Sequence, residues 1–328
     1  VITSRIVGTG RAVPERVLTN DDLSKMVDTS DAWIVERTGI RERHILDKSQ
    51  AASDLATEAG RKACQKAGVD PATVDCIIVG TVTGDCPFPA TATFVQRKLG
   101  AAPGGCAFDL SAACAGFLYG LSIGDAFVRR GQFKRVLVIG VEVLSRIVDW
   151  TDRSVCVLFG DGAGAVLLAP DDSGRRGVLS THLFADGSLA EILWQPAGGS
   201  REPTTPDVLA AKRQLVRMNG REVYKHAVRN MASCARLALD SNGLHAADVT
   251  WVVAHQANLR ILEGVSERVG IPMSRFFINV DRYGNTSSAS VPTALDEAVE
   301  QGKIHDGDLL LLAALGGGLA WASGLVRW

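Results

Sequence analysis

A cysteine in very small company is the first chemical signal in this chain. Cys114 stands in Ser-Ala-Ala-Cys-Ala-Gly-Phe (residues 111–117), between an apolar run and a longer apolar segment that reads as a helix. A cysteine that opens a helix faces unpaired backbone N–H groups and the positive end of the helix dipole. That setting favours the thiolate, which is the nucleophilic form, and the small neighbours leave room for a bulky electrophile. The plainer alternative is a buried packing cysteine. His255 directly follows the apolar run 251–254, where α/β folds set functional groups at strand ends; its alternative is a satisfied core histidine. Asn285 lies in a small-residue stretch (283–290) that leads into a helix, and alone it reads as a turn or a cap. The loop Leu315-Gly-Gly-Gly-Leu319 offers N–H groups that reach an anionic oxygen with no Cβ in the way. A nucleophile with donors for an anionic oxygen is equipment for covalent catalysis.

The elements that must position these groups come in two sets. Ala67-Gly-Val-Asp-Pro-Ala-Thr-Val-Asp-Cys-Ile-Ile-Val79 matches Asn242-Gly-Leu-His-Ala-Ala-Asp-Val-Thr-Trp-Val-Val-Ala254: helix end, glycine stop, short turn, apolar strand. The stretch from Arg130-Gly131 into Val136 matches that from Gln301-Gly302 into Leu309. Residues 155–168 and 309–326 both read as strand, glycine turn, strand. The offset is roughly 170 to 175 residues, which signals a duplicated domain rather than a solenoid. The seam is expected near residues 170–177, giving halves 1–172 and 173–328, the first with Cys114 and the second with His255 and Asn285. Near-continuous apolar strands between helical stretches predict an α/β fold with sheets covered on both faces. The site is expected at the junction of the halves.

Bulk properties narrow the class. With 328 residues, 46% hydrophobic content and a net charge of -1, the chain has ample core and no global attraction for polyanions. Seven scattered cysteines without CxxC pairs or zinc spacing fit a reducing, cytoplasmic setting. Residues 1–10 carry no secretory signal pattern. Residues 309–326 are uncharged, but Gly316, Gly317 and Gly318 break them, so a membrane helix is not expected.

The assembled motifs resemble 3-oxoacyl-[acyl-carrier-protein] synthase III, a family of the thiolase-fold superfamily. They are Asp-Thr-Ser-Asp-Ala-Trp-Ile-Val-Glu-Arg-Thr-Gly-Ile-Arg-Glu-Arg-His (28–44), Ala112-Ala-Cys-Ala-Gly116, Phe159-Gly-Asp-Gly-Ala-Gly164, His255-Gln-Ala-Asn-Leu-Arg260 and Gly284-Asn-Thr-Ser287. The resemblance spans almost the whole chain. It implies a five-layered αβαβα fold of two duplicated halves and a homodimer. It implies the initiating condensation of bacterial fatty-acid synthesis: acyl transfer from acyl-CoA, acetyl-CoA by default, then decarboxylative condensation with malonyl-acyl carrier protein. Its Cys-His-Asn triad falls on Cys114, His255 and Asn285, with the amides of Cys114 and Gly317 as oxyanion donors. Trp33 and Arg37 are expected to sandwich the CoA adenine, Arg153 to hold the nucleotide end and Asn258 to bind the pantetheine arm. Arg221 stands where many members have an asparagine that contacts pantetheine, a departure from the pattern that the resemblance implies. Arg221, Lys225 and Arg229 recur every four residues, and Arg260 and Arg268 form a second stripe. Together they are expected to meet the acidic carrier protein. The loop around Phe88 is expected to reach across the dimer into the partner's acyl pocket, while Trp194 and Leu319 shape that pocket. No metal or redox cofactor is expected.

Other readings fit less well. Gly160-Asp-Gly-Ala-Gly164 imitates a dinucleotide fingerprint, but a strand, not a helix, is expected to follow. There is no GxSxG, HExxH or P-loop, and the papain-like cysteine context is missing. A degradative thiolase would place a second cysteine near the last glycine loop, yet none follows Cys234. A chalcone-synthase-type enzyme would take malonyl-CoA. A starter-unit synthase of a specialised pathway, with longer or branched acyl-CoA, shares the chemistry. A scaffold subunit that keeps only the fold is expected to lose the cysteine.

Overall fold

Strands that are apolar on both faces need two covers, and the structure supplies them. It is a computed structural model that describes residues 3–174 and 176–328. The elements that position the site run in this order: β1 (Thr3–Ala12), α1 (Asp31–Thr38), α2 (Ala52–Ala67), β2 (Cys76–Gly80), β3 (Cys106–Leu110), α3 (Gly116–Arg129), β4 (Val136–Val143) and β5 (Asp161–Asp171). Then come β6 (Gly177–Ala185), α4 (Gly220–Asp240), β7 (Trp251–Ala254), α5 (Leu259–Val269), α6 (Ser290–Glu300), β8 (Leu309–Gly316) and β9 (Ala320–Arg327).

The first sheet has the order β1-β5-β4-β2-β3, with β4, β2 and β3 parallel and β5 antiparallel to both neighbours. The second has the order β6-β9-β8-β7, with β8 and β7 parallel and β9 antiparallel to both neighbours. Strand for strand, β6, β9, β8 and β7 repeat the connectivity of β1, β5, β4 and β2.

Alternation along the strands builds the layers. In β4, Val136 and Val138 face a central core with α3 and α6, which also takes Leu310 and Leu312 from β8. Leu137, Ile139 and Val141 turn the other way onto α2. On the far side, Leu309 and Leu311 of β8 pack under α4 and α5. The stack is therefore α2, first sheet, α3 with α6, second sheet, α4 with α5: the five-layered αβαβα thiolase fold.

One local expectation fails. Residues 155–168 are not two strands about a glycine turn. Val155 and Cys156 end a short helix (Arg153–Cys156), and β5 runs unbroken from Asp161. Its glycines serve close packing instead: a Cβ on Gly164 would lie 2.5 Å from the Thr293 nitrogen of α6. The counterpart of the β8–β9 pair is β4 with β5. Among the described residues no helix is long and apolar enough to cross a membrane. All seven cysteines are free thiols.

Candidate active site

Cys114 sits in a single turn (Ala113–Ala115) that leads directly into α3, the helix lying between the two sheets. The approach is strained: Ala113 has φ 45°, in the left-handed region that L-residues seldom occupy. Close beside it runs the end of β8. A Cβ on Gly316 would lie 2.3 Å from the Cys114 nitrogen, so only glycine lets that strand end meet the nucleophile's backbone. Gly317 and Cys114 line a common cavity.

His255 extends β7 by one residue; its N–H donates to the Ala313 carbonyl of β8 at 2.8 Å. Its Nδ1 lies 2.6 Å from the Ser290 hydroxyl at the start of α6. That oxygen also accepts the Gln256 N–H at 3.4 Å, which holds it between the ring and the backbone. Asn285 is fixed from three sides: its N–H donates to the Leu158 carbonyl, its carbonyl accepts the Gly160 N–H, and its Oδ1 accepts the Ser287 N–H at 2.8 Å. Its Nδ2 makes no hydrogen bond among the described residues. Cys114, His255 and Asn285 line one cavity of about 210 Å³. The structure thus brings the three sequence candidates together from the start of α3, the end of β7 and the turn before α6.

Burial sets the charges. His255 is 2% exposed, and loss of solvent pushes its imidazole down to about 3, so it is neutral. Cys114 is 6% exposed, and burial pushes its thiol up to about 12, against a weaker pull from the Ser287 hydroxyl. The direction is opposite to the expected bias toward thiolate, because desolvation of the buried sulfur is the largest influence on it. The resting pair is thiol and neutral imidazole.

Two spaces meet at Cys114. The first opens to the surface past Trp33, Arg37, Arg153, Tyr224 and Asn258. The second, about 500 Å³, continues beyond the sulfur and is lined by Val82, Tyr119, Leu193, Trp194 and Leu319. At the outer mouth the guanidinium groups of Arg37 and Arg153 lie 4.5 and 5.2 Å from the Trp33 ring centroid. Arg37 thus covers the ring itself, and a sandwiched base requires it to swing away. Arg153 also donates to the Asp28 carbonyl at 2.7 Å. Asn258 caps α5: its Oδ1 accepts the Arg260 N–H at 2.8 Å and its Nδ2 donates to the Arg37 carbonyl at 3.0 Å.

Arg221, Lys225 and Arg229 are exposed on α4, and Arg260 and Arg268 on the adjacent α5. Gly220, Tyr224 and Ile261 of the same two helices line the mouth. The patch is partly countered, because Lys225 lies 3.6 Å from Glu222 and Arg260 4.0 Å from Glu36. Phe88 lies outside both cavities and is 84% exposed.

Sequence reasoning passed over Ser287, Ser290 and Glu142. The serines sat inside a motif quoted for its neighbours. Glu142 carried a signal, as the one acid in the apolar strand Val-Leu-Val-Ile-Gly-Val-Glu-Val. Among the described residues no group of three or more His, Cys, Asp or Glu side chains is placed to hold a metal.

The family model "3-Oxoacyl-[acyl-carrier-protein (ACP)] synthase III" matches residues 108–187, and its C-terminal counterpart matches residues 239–328. A β-ketoacyl-[acyl-carrier-protein] synthase III of Xanthomonas campestris pv. campestris is 54% identical, over 100% of this chain and 99% of its own. The crystal structure of 3-oxoacyl-[acyl-carrier-protein] synthase III from Aquifex aeolicus superposes with TM-score 0.91 at 45% identity, over 99% of this chain and all of its own. The priming β-ketosynthase of the R1128 polyketide pathway superposes with TM-score 0.91 at 35% identity, over 99% of this chain and 96% of its own.

Proposed function

The chain belongs to the 3-oxoacyl-[acyl-carrier-protein] synthase III family, the condensing acyltransferases that initiate fatty-acid synthesis, and from that membership we propose how its own residues do the work. Cys114 attacks the carbonyl of an acyl-CoA thioester, CoA departs, and the acyl group stays on sulfur. The N–H groups of Cys114 and Gly317 receive the oxyanion. Malonyl-acyl carrier protein then enters by the channel that CoA has left and loses carbon dioxide. Negative charge collects on the thioester oxygen. His255, through Nε2–H, and Asn285, through Nδ2–H, donate to that oxygen. Both are neutral donors, whereas a carboxylate at either place would repel the enolate. The enolate carbon attacks the acyl thioester, which yields a 3-oxoacyl chain and frees Cys114. The reading needs neither metal nor redox cofactor, and it puts the enzyme in the cytoplasm with its carrier protein.

The observation that carries this reading is that Cys114, His255 and Asn285 line one cavity, and that a second space meets it at Cys114. The mouth residues support a CoA path: Trp33, Arg37 and Arg153 form a stacked aromatic–cation cluster suited to a nucleotide, and Asn258 borders the arm. The patch of Arg221, Lys225, Arg229, Arg260 and Arg268 supports docking of an acidic carrier. Arg260→Glu should slow carrier-dependent turnover about tenfold and leave acyl-CoA loading of Cys114 intact; equal loss of both steps refutes the docking assignment.

The direct test is incubation with acetyl-CoA and malonyl-acyl carrier protein, followed by mass analysis of the carrier. The reading expects 3-oxoacyl carrier from the wild type and none from Cys114→Ala. A product that survives in Cys114→Ala defeats it. The space beyond Cys114 exceeds what an acetyl group fills, which favours a second reading, a longer or branched starter. Competition among acyl-CoAs of graded length decides between the two.

A further inference from the structure

Asn285 has to present its amide at one point, yet no side chain holds that amide. Its Nδ2 is without a hydrogen bond among the described residues, so its aim follows from the backbone that carries it. That backbone leans on the segment 157–160. Asn285 and Phe159 pair as an isolated parallel bridge: the Asn285 N–H donates to the Leu158 carbonyl at 2.8 Å, and the Gly160 N–H donates to the Asn285 carbonyl at 3.0 Å. One side chain, Arg43 of the short strand Glu42–His44, grips this segment at both ends. Its Nη2 donates to the Val157 carbonyl at 2.7 Å, where the segment begins. Its Cβ packs where the segment ends: a Cβ on Gly160 would lie 3.0 Å from it. A Cβ on Gly284, the residue before Asn285, would lie 3.2 Å from the same atom. Gly284 has φ 63°, so both its turn and its closeness to Arg43 call for glycine.

Arg43 is an unusual residue to bury. It is 0% exposed, and its guanidinium bonds neutral oxygens: besides Val157, Nη1 donates to the Leu18 carbonyl at 3.1 Å and to Asn20 Oδ1 at 2.9 Å. Its Nε finds no partner among the described residues. Burial pulls the group down to about 10, so it keeps its charge at neutral pH. A cation without a carboxylate in contact is costly to bury, and an apolar side chain would fill the space. What an apolar side chain lacks is the planar fork, which reaches three segments at once. One of the three continues outward. Asn20, 1% exposed, donates from Nδ2 to Asp31 Oδ1 and to the Ile40 carbonyl, each at 2.8 Å. Asp31 opens α1, the helix that brings Trp33 and Arg37 to the outer mouth. A continuous run of hydrogen bonds thus joins that helix to the backbone of Asn285.

We propose that Arg43 is a positioning residue for Asn285: by tying Val157 and packing on Gly160 and Gly284, it sets where the amide meets the thioester enolate. This rests on Asn285 being a donor to that oxygen. Arg43 lines neither cavity, so it touches no substrate and acts through the backbone of 157–160. It therefore matters in the step where Asn285 matters, decarboxylation with condensation. It drops out of the acylation of Cys114, which the amide does not serve. Arg153 lies four residues before Val157, so a loosened segment also raises the KM for acetyl-CoA, and acylation has to be compared at saturation.

The test is a double-mutant cycle between Arg43→Met and Asn285→Ala, with each half-reaction read in single turnovers at saturating acetyl-CoA or malonyl-acyl carrier protein. Methionine keeps an unbranched stem beside the glycines and removes the fork. Condensation by acetylated Arg43→Met should fall about a hundredfold, the scale of a misplacement of about 1 Å. Acylation of its Cys114 should stay within about threefold of the wild type. In the Asn285→Ala background, Arg43→Met should cost condensation less than about threefold, because the group it positions is gone. A merely structural role predicts equal loss in both half-reactions and the same further loss without Asn285; either result overturns the proposal, as does full condensation by Arg43→Met. Should Arg43→Met fail to fold, Asn20→Ala carries the test. It leaves the Val157 bond and releases the fork on one side, and the same pattern should appear at about tenfold. Asn285→Ala that condenses like the wild type overturns the donor assignment and this proposal together. A normal loss in Asn285→Ala with additive effects overturns this proposal alone.

Discussion

In the proposed mechanism a buried sulfur, a neutral imidazole and an untitratable amide divide the chemistry by residue type. Replacing His255 or Asn285 by Ala should cut condensation by about a hundredfold to a thousandfold. Acyl loading of Cys114 should persist in both, which single-turnover assays of each half-reaction would reveal; loss of loading contradicts the donor assignment. Because burial holds His255 neutral down to about pH 3, it should add no inflection to the condensation profile near neutrality. Glu142 links to stability with a definite sign. Its native pKa is raised from 4.5 to about 7, so the native state binds the proton more tightly than the unfolded chain. The associated stabilisation is complete below pH 4.5 and disappears as pH rises through about 7. The melting temperature of Glu142→Gln should therefore gain on the wild type between those limits, and a constant gap would refute the assignment. Cys114, His255 and Asn285 were legible because their types are chemically loaded and their flanks are small. Ser287 and Ser290 were not, because a serine shows its partner only once the chain has folded. The protonation of Cys114 was misread for a related reason: sequence shows the helix start but not the depth of burial.

The elements carry the site through close approaches that no hydropathy pattern records. Ser288, beside Ser287, is 0% exposed, and its hydroxyl finds no partner among the described residues. It is packed against Gly80, Gly116 and Gly140. Ser288→Ala should be neutral or stabilising by about 1 kcal/mol, since it removes an unsatisfied buried hydroxyl. Gly140→Ala should destabilise by about 2 kcal/mol or more, because the new Cβ would lie 2.2 Å from the Ser288 carbonyl oxygen. Chemical denaturation of both variants checks the pair; a stable Gly140→Ala contradicts the packing account. Strand and helix positions around the site were readable from apolar runs and glycine stops, as at Gly68, which ends α2 with φ 64°. The segment 155–168 was not. Glycines there admit α6 against β5, and sequence alone cannot tell a glycine that turns the chain from one that makes room for a neighbour.

At the scale of the molecule, the two sheets draw their strands from residues 3–171 and 177–327 and repeat one connectivity. That supports the proposed division at residues 172 and 173. Each part supplies what the other lacks: the first brings Cys114 at the start of α3, the second brings His255, Asn285 and the glycine loop. We also propose a homodimer. Phe88, 84% exposed on its loop, supports it as the segment that a second copy would cover. Sedimentation equilibrium should give twice the chain mass, and a monomer at micromolar concentration would contradict it. The central claim is that this junction makes one sulfur among seven the acyl carrier. Peptide mass spectrometry after exposure to acyl-CoAs tests it most directly. The account predicts a single acyl group on the peptide that holds Cys114; acylation at another cysteine, or none at Cys114 with any acyl-CoA, would contradict it.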